Sequence, residues 1–161
     1  MASRLGRWLR FPSPLIRPDV RICRGQILHD PLGAIADLKS STSPYPVRLR
    51  DALLRMFHWE VLFSIQNAEV AVARREQTHI AGCAYRALCC MSQVRFAINQ
   101  RHLINEKGAL FEASLFPTTI EGLRERVASV WTCIGRSEFA EALAKLKSLY
   151  DDLTRPTQGR D

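Results

Sequence analysis

From Pro46 onward, apolar residues return every three or four positions: Leu49, Leu53, Met56, Phe57, Val61, Phe63, Ile65, Ala68 and Val72. With no Gly or Pro before Gly82, this spacing predicts one long helix that opens at Pro46 and reaches roughly Arg74. A polar break over 75–78 follows. Ile80, Ala84, Leu88, Met91, Val94 and Ile98 then keep helical spacing as far as Asn99, a second long helix. So short a connection predicts antiparallel packing, with positions whose numbers sum to about 154 side by side. On that register Glu60 faces Arg95 and Glu69 faces Arg86.

The remaining pattern is helical as well. Asp30-Pro31 offers an N-cap acceptor and a first-turn proline ahead of Leu32, Ile35, Ala36 and Leu38, and residues 40–44 end that short helix. Asn105 to Leu115 forms a further short helix stopped by Pro117. Thr118 and Glu121 match a capping box before Leu123, Val127, Val130 and Ile134, with Gly135 as the C-terminal stop. Ser137 is placed to cap a last helix with the buried stripe Phe139, Leu143, Leu146, Leu149 and Tyr150, and Lys145 and Lys147 lie toward its negative end. Val20 to Leu28 alternates weakly like a strand but has no partner strand in the pattern. The fold class is all-α: an antiparallel bundle of about five or six helices with an irregular N-terminal leader. The expected organisation is a basic Pro/Arg-rich leader over 1–24, disordered or a remnant, a helical bundle domain over 25–153, and a frayed tail over 154–161.

Composition adds one asymmetry. The 161-residue chain has a formal charge of +7, and the first 24 residues hold six arginines against Asp19 alone, so most of the excess lies on the leader. A nucleic-acid-binding domain spreads positive charge over a folded face, so nucleic acid is an unlikely partner on this reading. The most apolar window, His79 to Val94, is broken by Arg86 and too short to span a bilayer. Five cysteines without C-x-x-C spacing suggest neither a disulfide frame nor a zinc site, hence no metal site and a cytoplasmic protein with reduced thiols.

No phosphate-binding glycine loop, nucleophile elbow or H-E-x-x-H occurs. The informative residues are charges inside apolar stripes, because such a charge costs several kcal/mol unless paired. Glu60, Glu69, Arg86 and Arg95 form either two cross-helix ion pairs that fix register or a polar groove that grips a ligand, which Tyr85, Gln66 and Asn99 would join. Arg95 and His102, with six residues between them, resemble the R-x(4 to 6)-H motif of HEPN ribonucleases. That resemblance implies a toxin-type ribonuclease with His102 as acid/base and Arg95 on the phosphorane. Arg74 with His79 fits the same spacing. Cys89-Cys90, mid-helix, reads as core packing.

Several stretches together carry a wider resemblance: HDPLGAIADLK (29–39), YPVRLRDALL (45–54), FHWEVLFSI (57–65), AGCAYRALCCMSQVRFAIN (81–99) and LINEKGAL (103–110). They resemble the C-terminal helical domain of bacterial nucleotidyltransferase-domain proteins of the polymerase β superfamily, over about residues 25–152. In that family an α/β domain carries a Gly-Ser turn and an Asp-x-Asp metal pair, and the helical domain contributes to acceptor binding. This sequence has neither motif. The resemblance implies a substrate-recognition domain that transfers no nucleotide by itself and meets Mg²⁺ and a nucleoside triphosphate only through a catalytic partner. It is expected to act with a separate nucleotidyltransferase subunit or to self-associate; a truncated, non-functional remnant or misassigned start is the other reading. Asn105, Glu106 and Lys107 are the residues it places at the cleft, with Lys107 near a phosphate or the acceptor; Asn105 and Glu106 also suit a plain helix start.

Overall fold

The computed structural model describes residues 25–155, and the leader 1–24 lies outside the described residues. Six helices follow in order: α1 Ala34–Ser40, α2 Val47–Val72, α3 Gln77–Ile98, α4 Ala109–Ser114, α5 Leu123–Gly135 and α6 Phe139–Thr154. No strand occurs among the described residues, and 25–28, the end of the strand-like piece, has no regular structure. The predicted all-α bundle is the observed fold. No helix among the described residues is long and apolar enough to cross a membrane.

α2 and α3 form a hairpin, α5 and α6 a second one, and α6 lies along both long helices. The core forms where they meet: Phe57, Val61 and Ile65 of α2, Leu88, Met91 and Val94 of α3, Val130 of α5, Leu146 and Leu149 of α6. From Ala87 to Ala97 every residue of α3 is buried. A helix covered on all sides must be apolar on all sides, and the α3 sequence ALCCMSQVRFA comes close, with Cys89 and Cys90 as the expected core residues. α1 buries none of its residues.

The helix ends differ from the sequence reading in a consistent way. Three helices stop at a residue in left-handed conformation that is not glycine: Arg75 (φ 53°), Gln100 (φ 53°) and Ser137 (φ 60°). At each, two bonds close a Schellman turn, for example Glu76 N–H to Ala71 O at 3.3 Å and Arg75 N–H to Val72 O at 2.9 Å. Gly135 is therefore inside α5, and Ser137 ends that helix instead of capping the next. The capping box is likewise absent: α5 starts from Gly122 (φ 62°) with no side-chain cap, and the Thr118 amide donates instead to Asn99 Oδ1. Asn105 and Glu106 precede a turn at Gly108 (φ 73°), so α4 begins only at Ala109. Asp30 is not the N-cap and Pro31 not the first helical residue: α1 starts at Ala34 from Gly33 (φ 71°), and the Asp30 carboxylate reaches across the preceding turn to accept the Ala36 amide at 2.8 Å. Lys147 is mid-helix and bonds Glu69, so dipole complementarity is not its role.

The hairpin turn occupies 73–76, about two residues earlier than the sequence reading. It docks on the α5–α6 turn, where Gln77 Nε2 donates to Ile134 O (3.0 Å) and the Arg75 guanidinium lies 5.5 Å from the Phe139 ring centre.

A non-glycine residue held at positive φ costs about 1–2 kcal/mol. Gln100→Gly and Ser137→Gly are therefore expected to stabilise the fold by about 0.5–1 kcal/mol each, read as a higher urea midpoint at unchanged slope. Arg75→Gly should gain less, because it gives up the stacking on Phe139.

Candidate functional site

Helical geometry first separates the four charges. Glu60 and Glu69 are nine residues apart on α2, and Arg86 and Arg95 nine apart on α3. At about 100° per residue nine steps end on the opposite side of a helix. The charges therefore divide into two sets facing different ways, and the single groove joining all four does not form.

On one side Arg86 Nε donates to Glu60 Oε2 at 3.0 Å and a second guanidinium nitrogen reaches the same oxygen. The partners are not those the register predicted. Because the turn comes early, Glu60 meets α3 near Cys90, and the long Arg86 side chain closes the remaining turn. Burial pushes the Cys90 thiol up to about 12, with Glu60 adding to the effect and Arg86 opposing it. The Arg86 guanidinium also lies 6.0 Å from the Phe63 ring centre, and Phe63 stacks on Trp59 at 4.9 Å with planes 12° apart.

The same side of α3 leads to the 103–110 loop. A hydrogen bond to Cys89 raises the Tyr85 hydroxyl's pKa, with Cys89's charge, partial burial and the charge of Glu106 adding to it. Burial raises the Cys89 thiol, which the Tyr85 bond partly offsets. Asn105 Oδ1 accepts the Lys107 amide at 2.9 Å, an Asx turn that leaves the Lys107 side chain in solvent. Glu60, Arg86, Tyr85, Glu106 and Lys107 thus follow one side of the hairpin, four of them charged groups from the resembled segments. Gln66 is exposed on α2.

On the other side the charges are taken by α6. Glu69 pairs with Lys147. Arg95 is 3% exposed and donates to the Asp152 carbonyl at 3.1 Å, with its Nε unpartnered. Asp152's carboxylate in turn holds Arg126 at 2.6 Å and Arg155 at 3.0 Å. Asn99 spans the α3 end and the Thr118 backbone, donating to Thr118 O at 2.8 Å and accepting its amide at 3.2 Å, so its amide closes a loop. His102 stacks against Tyr45 (4.6 Å between ring centres) with Nε2 3.4 Å from Thr42 O. Arg95 and His102 thus have separate partners, and the arginine is sealed from solvent.

Two clusters had no signal in the sequence, because they join residues far apart or across a turn. Arg126, Ser148, Asp152 and Arg155 line an open groove of about 670 Å³ between α5 and α6, its arginines spent on Asp152. Cys133, Glu138 and Glu141 bring donor atoms within 4.8 Å of one another. There the two glutamates start α6, where a helix N-terminus draws carboxylates, and Lys145 takes Glu141 at 3.1 Å.

Fold and face together define a helical-bundle domain with one open, charged and aromatic side. The chain belongs to the family described as Domain of unknown function (DUF4037), whose model matches residues 8–107, from within the leader through Lys107. No curated protein and no solved structure matches it.

Two outcomes test the buried side. Arg95→Ala leaves a cavity beside Asp152 and should cost about 2–4 kcal/mol in urea unfolding, whereas Arg95→Met, which fills the space without a charge to desolvate, should cost far less. His58, edge-on to Tyr150 at 6.1 Å, has its pKa lowered from 6.5 by burial and by the Arg95 charge. The unfolded chain therefore binds more protons than the folded chain below about pH 6.5, and stability falls as pH drops through that range. His58→Phe should flatten that part of the stability profile between pH 7.5 and 5; equal slopes in both proteins would count against it.

Proposed function

We propose that this chain is the helical substrate-recognition domain of a nucleotidyltransferase system, working in the cytoplasm with a separate or lost catalytic domain. The observation that carries this reading is the side where α3 meets the 103–110 loop, with Arg86 and Lys107 as cations, Glu60 and Glu106 as anions, and Tyr85 and Phe63 as apolar walls. Such a face suits a polar acceptor that carries hydroxyl or amino groups: the carboxylates accept from it, the cations hold its negative partners, and the rings cover its apolar surface. Arg86 is already neutralised by Glu60, so Lys107 is the cation with most freedom to meet a phosphate.

Transfer of a nucleotidyl group needs a metal held by carboxylates against the triphosphate, and the Gly-Ser and Asp-x-Asp motifs that supply it are missing from this sequence. On this reading Mg²⁺ and the nucleoside triphosphate enter on the catalytic partner. This chain orients the acceptor, and no nucleic acid or membrane is involved.

The test is reconstitution. The full chain is mixed with a nucleotidyltransferase subunit from the same genome that carries Gly-Ser and Asp-x-Asp, and transfer from a labelled nucleoside triphosphate is followed with Mg²⁺. The chain alone should be inactive and the mixture active, with Lys107→Ala and Glu106→Gln each lowering the rate at least about tenfold at unchanged complex formation. No complex and no stimulation with any such subunit would overturn the proposal.

A further inference from the structure

The turn between α5 and α6 holds a group of side chains that neither the core nor the open side of the hairpin uses. Its Schellman geometry runs from Cys133 to Glu138, with the Glu138 amide on Cys133 O at 2.8 Å and the Ser137 amide on Ile134 O at 3.0 Å. In such a turn the side chains at the two ends of the longer loop meet, frequently as an apolar pair. Here they are a thiol and a carboxylate. The other two Schellman turns have Ala71 and Phe96 at the first of these positions, so of the three only this one sets two ligand atoms together. Glu141, three residues beyond Glu138 on the first turn of α6, adds a third from the same side. The Cys133 sulfur and a carboxylate oxygen of each glutamate all lie within 4.8 Å of one another.

The pull of a helix N-terminus on carboxylates accounts for only part of this. Glu138 is the N-cap residue of α6, yet its side chain caps no amide and bonds instead to the Cys133 thiol. Cys133 is 5% exposed, a buried sulfur beneath two exposed carboxylates. A hollow of about 330 Å³ opens beside them, lined by Glu138, Phe139, Glu141 and, from the neighbouring hairpin turn, Arg75. It gives both carboxylates access to solvent. Lys145 answers Glu141 at 3.1 Å, a solvent-screened ion pair that contributes little and that a divalent ion would displace.

We propose that Cys133, Glu138 and Glu141 form a binding site for a zinc-class divalent cation that ties the end of α5 to the start of α6. Donor chemistry selects the metal: a thiolate does not suit Mg²⁺ or Ca²⁺ and two carboxylates do not suit Cu⁺, which leaves Zn²⁺ and its spectroscopic stand-in Co²⁺. Three protein ligands with a water in the fourth position complete a tetrahedron. Bonds of about 2.3 Å to sulfur and about 2.0–2.2 Å to oxygen draw the three donors closer together, which the exposed glutamates achieve by rotation. On binding, a metal–sulfur bond replaces the S–H bond and the thiol proton passes to solvent. Spacing along the chain argued against a metal because C-x-x-C is absent, but this set uses one cysteine and an E-x-x-E pair across a turn. The proposal stands apart from the nucleotidyltransferase reading: the site lies outside residues 8–107 and needs no catalytic subunit.

Co²⁺ titrated into the untagged, reduced full chain should raise a saturable thiolate-to-cobalt charge-transfer band in the near ultraviolet, which Zn²⁺ abolishes and Mg²⁺ does not. Cys133→Ser should lose the band and Cys83→Ser should keep it. Glu138→Gln and Glu141→Gln change exposed residues, so their circular dichroism should stay that of the folded protein while the Zn²⁺ dissociation constant, read by calorimetry, rises at least about tenfold in each. Lys145→Gln frees Glu141 and should tighten Zn²⁺ binding, an effect that a purely structural thiol–carboxylate contact would not produce. The absence of a saturable band and of binding heat up to about millimolar metal would overturn the proposal. So would a band that survives in Cys133→Ser, unchanged affinity in both glutamine variants, or weaker binding by Lys145→Gln.

Discussion

The second half of α3 is enclosed on every side, and the other elements are arranged to enclose it. α2 covers one face, α6 another, and α4 and α5 close the end, so Leu88, Met91, Val94 and Phe96 lose nearly all contact with water. Each such side chain contributes roughly 1.5–3 kcal/mol on burial, an upper value because the unfolded chain is itself partly compact. The cost is that α3 has no outward face for a polar residue. Arg95 therefore had to find a partner inside the bundle, and it does so on a backbone carbonyl of α6 beside the Asp152 carboxylate that also holds Arg126 and Arg155.

That enclosure explains why the two ends of α3 differ so sharply. The first turns, from Gln77 to Arg86, leave Tyr85 51% exposed and Arg86 half-exposed on the open side of the hairpin. From Ala87 onward the polar groups are structural: Ser92 bonds back to Leu88, Arg95 reaches α6, and Asn99 closes the loop to Thr118. On this open side stand Arg86, paired with Glu60, and Lys107 in the loop that returns beside α3. The aromatic pair on α2 adjoins them through Phe63, which the Arg86 guanidinium overlies.

Helix number, order and approximate ends could be read from the 3.6-residue period alone, because burying one stripe forces that period on the chain. The stripes of α5 and α6 match almost residue for residue, since each of those helices has a single buried face. The sequence also determined that charged residues within α2 and α3 would matter, that Cys89 and Cys90 would pack in the core, and that Asp30 would accept from the start of α1. Helix termini were less legible: Arg75, Gln100 and Ser137 adopt a conformation usually left to glycine, which the tertiary contacts impose against local preference.

Tertiary structure decided the rest, because partner choice depends on register and side, which composition does not carry. Glu60 met Arg86 and not Arg95 because the hairpin turned two residues early, and Glu69 met Lys147 on a helix nearly eighty residues away. Met56 and Phe63 belong to the same apolar repeat as Phe57 and Val61 when read along the chain. Only the packing of α3 against one side of α2 divides that repeat into a core stripe and an exposed stripe, because a helix has one direction in which its partner lies.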